Sequence, residues 1–172
     1  MPIRAAESFW PQAKPQQRFF ANRGASGIDG LVSSGLGVAA GRPSSPTVLL
    51  LGDLSLYHDM NGLWAMTRHG IRATLVVCDN DGGGVFNFLP QAEHQDVFEE
   101  LFATPLGLDL SQVARLYGLV YSPVTDRSGL EPAIADAIAA PTPTMVVARF
   151  KREDSVNGHR VCWEAAASAL KS

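Results

Sequence analysis

Two apolar runs, Thr47-Val48-Leu49-Leu50-Leu51 and Ala73-Thr74-Leu75-Val76-Val77-Cys78, punctuate the chain; each is β-rich, free of charge and closed by breakers. Continuous rather than alternating apolar character marks a strand buried on both faces, as in a parallel sheet. Between them, residues 59–69 place Met60, Leu63, Trp64 and Met66 at helical spacing, with Asp59 as N-cap or first-turn acid and His69-Gly70 as the stop. The three segments form one βαβ unit whose strands point the same way. Gly52-Asp53-Leu54-Ser55 follows the first strand and Asp79-Asn80-Asp81-Gly82-Gly83-Gly84 ends the second, so Asp53 and Asn80 should emerge together at the carboxyl edge of the sheet. Open α/β folds bind their ligands at that edge.

The same reading extends to both ends. Residues 1–18, rich in Pro, Gln and Ala, show no period and read as an irregular leader or linker end, leaving 19–172 as the folded domain. Phe19-Phe20-Ala21 reads as a first short strand and residues 28–40 as a helix of small residues. From 91 to 108 the signals mix: a polar stretch, Phe98, Leu101 and Phe102 at helical spacing, then Thr104-Pro105, the pattern of a loop over a site. A helix over 110–116 opened by Asp109 or Ser111, a strand over 117–121, a helix over 129–139 opened by Ser128, a strand over 144–150 and a helix over 159–170 follow. Strands alternating with helices predict an α/β fold, a three-layer α/β/α arrangement with a mainly parallel sheet.

Composition narrows the picture. A chain of 172 residues, 46% hydrophobic and 18% charged, can close one core. It has no apolar tract long enough for a membrane span, and its net charge of −3 gives no electrostatic case for nucleic acid. Cys78 and Cys162 read as reduced core residues rather than a disulfide. Met1-Pro2-Ile3-Arg4 lacks the basic and apolar regions of a signal peptide, which points to a cytoplasmic address.

A carboxylate, a side-chain amide and closely approaching glycine carbonyls are hard oxygen donors, which suit Mg²⁺ bound together with a phosphate. Gly52-Asp53-Leu54, then 24 residues, then Asp79-Asn80 resembles the thiamine-diphosphate motif. Asn22-Arg23-Gly24-Ala25-Ser26-Gly27-Ile28-Asp29-Gly30, Asn80-Asp81-Gly82-Gly83, Phe86-Asn87-Phe88-Leu89-Pro90 and Phe98-Glu99-Glu100-Leu101-Phe102 resemble the MenD family. These are 2-succinyl-5-enolpyruvyl-6-hydroxy-3-cyclohexene-1-carboxylate synthases of menaquinone biosynthesis.

The resemblance implies the thiamin diphosphate-binding fold and the C-terminal, diphosphate-binding domain of a transferase. That enzyme decarboxylates 2-oxoglutarate and adds the succinyl semialdehyde carbanion to isochorismate. It implies Mg²⁺, or Mn²⁺, held by Asp53, Asn80 and the Gly82 carbonyl. It implies thiamine diphosphate held by Ser26, Ile28, Gly52, Leu54, Ser55, Gly83 and Val85, and substrate met by Arg4, Arg23, Phe86 and Leu89. The catalytic group is not in this chain: the activating glutamate belongs to the pyrimidine-binding domain of the same enzyme, across a homo-oligomer interface. The fragment alone is then expected to be inactive. Two departures stand out, Asp79 and Ser155, where the family has asparagine.

Other readings stay open on the residues. Arg23 suits a carboxylate substrate through its fork, the alternative being a structural pair with Asp29 or Asp53. His58 reads as structural. Gly35-Leu36-Gly37-Val38-Ala39-Ala40 satisfies the dinucleotide fingerprint as a string, yet it runs into a helix stop instead of following a strand, and so reads as close helix packing. A stand-alone Mg²⁺ and diphosphate module, or another thiamine-dependent decarboxylase or carboligase, are the alternative functions.

Overall fold

Val48–Gly52 (β1) and Thr74–Asp79 (β2) pair in parallel, Val48 opposite Thr74 and Gly52 opposite Cys78, as the apolar runs predict. The structure, a computed structural model, describes residues 1–10, 17–25 and 27–171. Val120–Val124 (β3) and Thr144–Arg149 (β4) complete a four-stranded, all-parallel sheet in the order β1-β2-β4-β3.

The order explains the layers. Right-handed crossovers that move one way along a sheet put their helices on one face, and a crossover that moves back puts its helix on the other. Passage from β1 to β2 and on to β3 runs one way, and its helices α3 (Asp53–Asp59), α4 (Trp64–His69) and α6 (Leu110–Leu116) share a face with α2 (Leu31–Gly41). Return to β4 carries α7 (Arg127–Ala139) to the opposite face, where Ala137 and Leu130 pack on Val76, Val124 and Val146. Strand residues therefore alternate between two cores: Leu75, Val77, Met145 and Val147 face the first, Val76 and Val146 the second.

Several expected boundaries move. Residues 2–9 are not irregular but form α1 (Pro2–Phe9), opened by Pro2 in its first turn and set against Leu50 and Cys78 of the sheet. Phe19-Phe20-Ala21 is not a strand; both phenylalanines are largely exposed and no sheet edge receives them. Helical structure after β1 begins at Asp53 rather than Asp59 and continues through a 3₁₀ turn, Met60–Leu63, into α4. Gly52 ends the strand in an extended conformation, and an acid in the first turn suits the helix N-terminus, so no spacer is needed. The third strand starts at Val120 because Gly118, at φ 69°, first closes α6. Residues 90–103 become a 3₁₀ turn, a short helix α5 (Gln95–Phe98) and a π-helical turn, Glu99–Ala103. The last helix, α8 (Arg152–Ala169), starts at the charged segment itself, with Glu153 and Asp154 in its first turn. Cys78 and Cys162 are both free; burial pushes the Cys78 thiol above its ordinary value, whereas Cys162 is exposed and not a core residue.

The dinucleotide-like string lies inside α2, where Leu36 and Ala39 are buried. A Cβ on Gly35 would strike the Leu49 side chain, so its glycine serves close packing. Gly30, in the left-handed region at φ 66°, caps α2 without offering a side chain. Asp59 supplies one from across the chain: its carboxylate accepts from the Ser33 amide at 2.6 Å and the Ser33 hydroxyl at 2.9 Å. Instead of opening the crossover helix, Asp59 closes α3 and caps α2.

Asp59→Ala should therefore cost about 2 kcal/mol of unfolding free energy, the upper range for a lost cap, with an unchanged denaturant slope in urea. A loss under about 0.5 kcal/mol would show that α2 does not depend on this cap.

Candidate functional site

At the carboxyl edge the two strand tips are joined by one hydrogen bond: the Gly82 amide donates to Asp53 Oδ2 at 2.7 Å. The other carboxylate oxygen of Asp53 accepts from the Leu54 amide at 2.9 Å. Asp53 is 5% exposed, yet each oxygen keeps a lone pair beyond these bonds. Burial pushes its carboxyl above the ordinary 3.8, against the pull of the two amides, and the charges of Asp79 and Asp81 push the same way.

The chain that reaches Gly82 is held in rarely used backbone conformations. Asp81 lies at φ 52°, in the left-handed region that aspartate tolerates, and Gly82 at φ 133°, which L side chains avoid. A Cβ on Gly82 would run into the Ala103 carbonyl oxygen, and one on Gly84 into the Asn80 amide nitrogen. The Gly83 amide donates to Ala103 O at 2.6 Å, and the Gly107 amide to Asp81 Oδ1 at 2.9 Å. The Gly82 carbonyl accepts from the Gly84 amide at 2.9 Å, which leaves it a second lone pair.

The residues expected at the site divide as follows. Asp53, Asn80 and Gly82 are brought to one place, with Gly52, Leu54 and a buried Ser55 beside them and Gly83, Val85 and Phe86 continuing the loop. Leu54 differs from expectation in one respect: its amide is already engaged by Asp53. The Phe86 ring packs on Gly83 and lies 5.8 Å from that of Phe102. Leu89 and Ile28 are 42% and 43% exposed, so Ile28 is not a core residue. Ser26 lies outside the described residues. Arg23 pairs with Glu7 of α1 at 3.0 Å. Arg4, exposed, sits one helical turn before Glu7 on the same face of α1, so the helix places the two arginines on one side. Pro2, which begins that helix, is 3.9 Å from where a Cβ on Gly52 would sit, so α1 starts beside the strand tip. His58 is exposed and edge-on to Tyr57 at 6.1 Å.

Sequence reasoning missed the supporting layer. Asp79, 6% exposed, binds Arg149 Nε through Oδ2 at 2.8 Å, a pair set up by the register that puts Asp79 opposite Arg149. Arg152 grips both carboxylate oxygens of Glu99 at 3.0 and 2.7 Å. Neither pair has a sequence period to reveal it, because each joins segments far apart in the chain.

The donor chemistry fits a hard divalent cation: one desolvated carboxylate, one amide oxygen and one carbonyl. Among the described residues no group of three or more His, Cys, Asp and Glu side chains gathers to hold a metal. The Asn80 amide and the Gly82 carbonyl would thus have to complete the set. A cleft of about 190 Å³ lined by Ser44, Thr47, Arg72 and Thr142 lies beyond the opposite, amino edge, away from these groups.

Residues 3–148 match the family described as thiamine pyrophosphate enzyme, C-terminal TPP binding domain. The 2-succinyl-5-enolpyruvyl-6-hydroxy-3-cyclohexene-1-carboxylate synthase of Geobacillus thermodenitrificans is 43% identical over 95% of this chain and 28% of its own length. The same synthase of Roseiflexus castenholzii is 45% identical over 87% of this chain and 26% of its own. The chain thus spans little more than a quarter of these relatives. Among solved structures, benzoylformate decarboxylase from Polynucleobacter necessarius has a TM-score of 0.60 at 21% identity, over 70% of this chain and 23% of that one. A thiamine diphosphate-dependent 4-hydroxybenzoylformate decarboxylase from Rhodococcus jostii gives 0.57 at 21%, over 69% and 22%. At that identity they show the fold, a three-layer α/β/α arrangement of the thiamine-diphosphate-binding kind. Among the described residues no helix is long and apolar enough to cross a membrane.

A raised native value for Asp53 means the folded chain holds that proton to higher pH than the unfolded one. Its contribution to stability then falls as pH rises from about 3.8 through the native value, and is level beyond. Asp109 and Asp126, held low by the Ser111 and Ser128 hydroxyls, act with the opposite sign, since what they contribute is lost as pH falls through their native values. Denaturant unfolding of the metal-free chain across this pH range should therefore show a downward component that Asp53→Asn removes, the cap contributions cancelling in the difference. Equal pH slopes in the two proteins would overturn the assignment.

Proposed function

This chain belongs to the thiamine pyrophosphate enzyme family, as its C-terminal cofactor-binding domain, and to the MenD branch of it; from that premise we propose that it supplies the metal and diphosphate half of a thiamine-diphosphate-dependent synthase. The observation that carries the reading is the Asp53–Gly82 hydrogen bond, which brings a desolvated carboxylate and a glycine carbonyl loop to one point at the sheet edge. Asp53, Asn80 and the Gly82 carbonyl would hold Mg²⁺. Gly52, Leu54, Ser55, Gly83 and Val85, with Ser26 and Ile28, would take up the cofactor. Thiamine diphosphate, when bound, supplies the electron sink for decarboxylation and carbon–carbon bond formation.

The protein's own part is positional and electrostatic. Asp53 is oriented by two backbone amides, so no reorganisation is needed when a cation arrives. Phe86 and Leu89 would form an apolar wall that keeps water from the reacting centre. Arg4 and Arg23 carry the positive charge that two carboxylate substrates, 2-oxoglutarate and isochorismate, would require. Glu7 holds Arg23, and a substrate carboxylate would have to replace it there. The remaining groups would come from the pyrimidine-binding domain of the same enzyme across a homo-oligomer interface. The decarboxylation of 2-oxoglutarate and the joining of its four-carbon product to isochorismate would then need both halves.

Asp53→Ala should abolish Mg²⁺-dependent binding of thiamine diphosphate, a loss of at least about a hundredfold, as titration calorimetry would read it. Unchanged affinity would sink the metal assignment. Mixing the chain with separately expressed pyrimidine-binding and middle domains should restore CO₂ release from 2-oxoglutarate, dependent on isochorismate for product. Silence from a properly associated complex would instead favour a diphosphate-binding module without turnover.

A further inference from the structure

We propose that Arg152 is a positioning residue for the cofactor loop, acting through Glu99 and the π-helical turn to set the backbone of Gly82 and Gly83. The inference rests on the cofactor reading above and adds to it a control point outside the cofactor-binding residues.

Arg152 opens α8, and its side chain is only 13% exposed. Nη2 reaches both oxygens of Glu99, while Nη1 is buried with no partner among the described residues. Leaving a buried guanidinium nitrogen unpaired costs stability, so stability alone is a poor reason for an arginine at this position. What Nη2 holds is the first residue of a π-helical turn, an element that proteins use sparingly and often beside functional sites.

The turn leads straight to the site. Its closing bond runs from the Thr104 amide to the Glu99 carbonyl at 2.9 Å, so fixing Glu99 fixes where the turn ends. Thr104 then adopts φ 43°, unfavourable for a β-branched residue, which a tethered turn can enforce. Ala103, the last residue of the turn, accepts the Gly83 amide at 2.6 Å. The same carbonyl closes off the space above Gly82, and that of Phe102 the space above Gly83. Arg152 also lies along the far side of the loop, its Cγ 3.9 Å from where a Cβ on Gly84 would sit. One side chain therefore braces the glycine loop from behind and, through Glu99, from above.

The path runs Arg152, Glu99, Ala103 carbonyl, Gly83 amide, and Gly82 is the next residue. Neither Arg152 nor Glu99 is among the residues that would touch metal or cofactor, so their removal should shift the loop without deleting any donor group. A guanidinium matters here because its rigid plane fixes where Nη2 meets the two oxygens, whereas an ammonium is a freely rotating point charge on a flexible stem.

The test compares the unaltered chain with Arg152→Ala, Arg152→Lys, Glu99→Gln and the exchange Arg152→Glu with Glu99→Arg. Two readouts are taken: amide hydrogen exchange over residues 80–84 and 100–104, and calorimetric affinity for thiamine diphosphate with saturating Mg²⁺. Arg152→Ala and Glu99→Gln should each speed exchange in both segments and weaken cofactor binding about tenfold. Their combination should be no worse than either alone, Arg152→Lys should recover part of the loss, and the exchanged pair more of it. Exchange over residues 48–52 in β1 should not change, which separates loop release from general unfolding; a variant too unstable to keep that protection is replaced by Arg152→Lys and Glu99→Gln. Unchanged loop exchange, or additive losses in the combination, would overturn the proposal. Failure of the unaltered chain to bind thiamine diphosphate would bring down the cofactor reading instead, while the exchange readout would still decide whether Arg152 governs the loop.

Discussion

Everything at the functional edge depends on the bond between the Gly82 amide and the Asp53 carboxylate, which ties the tips of β1 and β2 across 29 residues of chain. A carboxylate at 5% exposure is costly unless its oxygens are satisfied, and two backbone amides satisfy them. The amides do so only incompletely, as the upward push on the Asp53 carboxyl shows. That residual cost is what would make the position useful to a cation. A carboxylate stabilised fully by its own backbone would gain little from a cation, whereas one left partly desolvated has free energy to recover on binding it.

The rest of the fold makes that bond possible. Parallel pairing with Gly52 opposite Cys78 sets the two tips level, and burial of Leu75, Val77, Met145 and Val147 on one face and Val146 on the other leaves the strands little freedom to slide. A slip of one residue would turn each strand's two faces over at once. The site is thus carried by rigid strands and adjusted by loops, an arrangement in which small loop changes tune a ligand position without disturbing the core.

Much of this was legible in the sequence, and the residues that were not share a cause. The βαβ unit and the closeness of Asp53 and Asn80 follow from apolar runs, breakers and the one-directional geometry of parallel crossovers, all local signals, whereas α7 is capped by Asp126 and not opened by Ser128 as expected. Phe19-Phe20-Ala21 was misread because β-propensity reports only that a segment fits a pleated surface, and no sheet edge receives it here. Helix α1 hid because the prolines and glutamines that follow it colour the whole leader, although Pro2 sits where a helix can begin. Asp59 was assigned to the wrong helix because its partner, Ser33, is distant in sequence. The glycine loop itself could be read, but the π-helical turn that braces it could not. No periodicity distinguishes a π turn from an α turn, and its carbonyl meets Gly83 only in three dimensions.

Asp79 shows how the supporting layer absorbs a change in the motif. A second carboxylate beside Asp53 raises the electrostatic cost of the site, and Asp79 is among the charges that push Asp53 upward. It is not a spare ligand, however, since one oxygen is taken by Arg149 at 2.8 Å and its backbone carbonyl accepts from the Phe150 amide at 3.0 Å. Arg149 is mostly exposed and stands opposite Asp79 in register, so it offsets the added charge while keeping its own hydration. The carboxylate is thereby committed to holding β2 against β4, and any cation would be left to Asp53, Asn80 and Gly82. An aspartate at this position behaves as a strand clamp whose charge is countered locally.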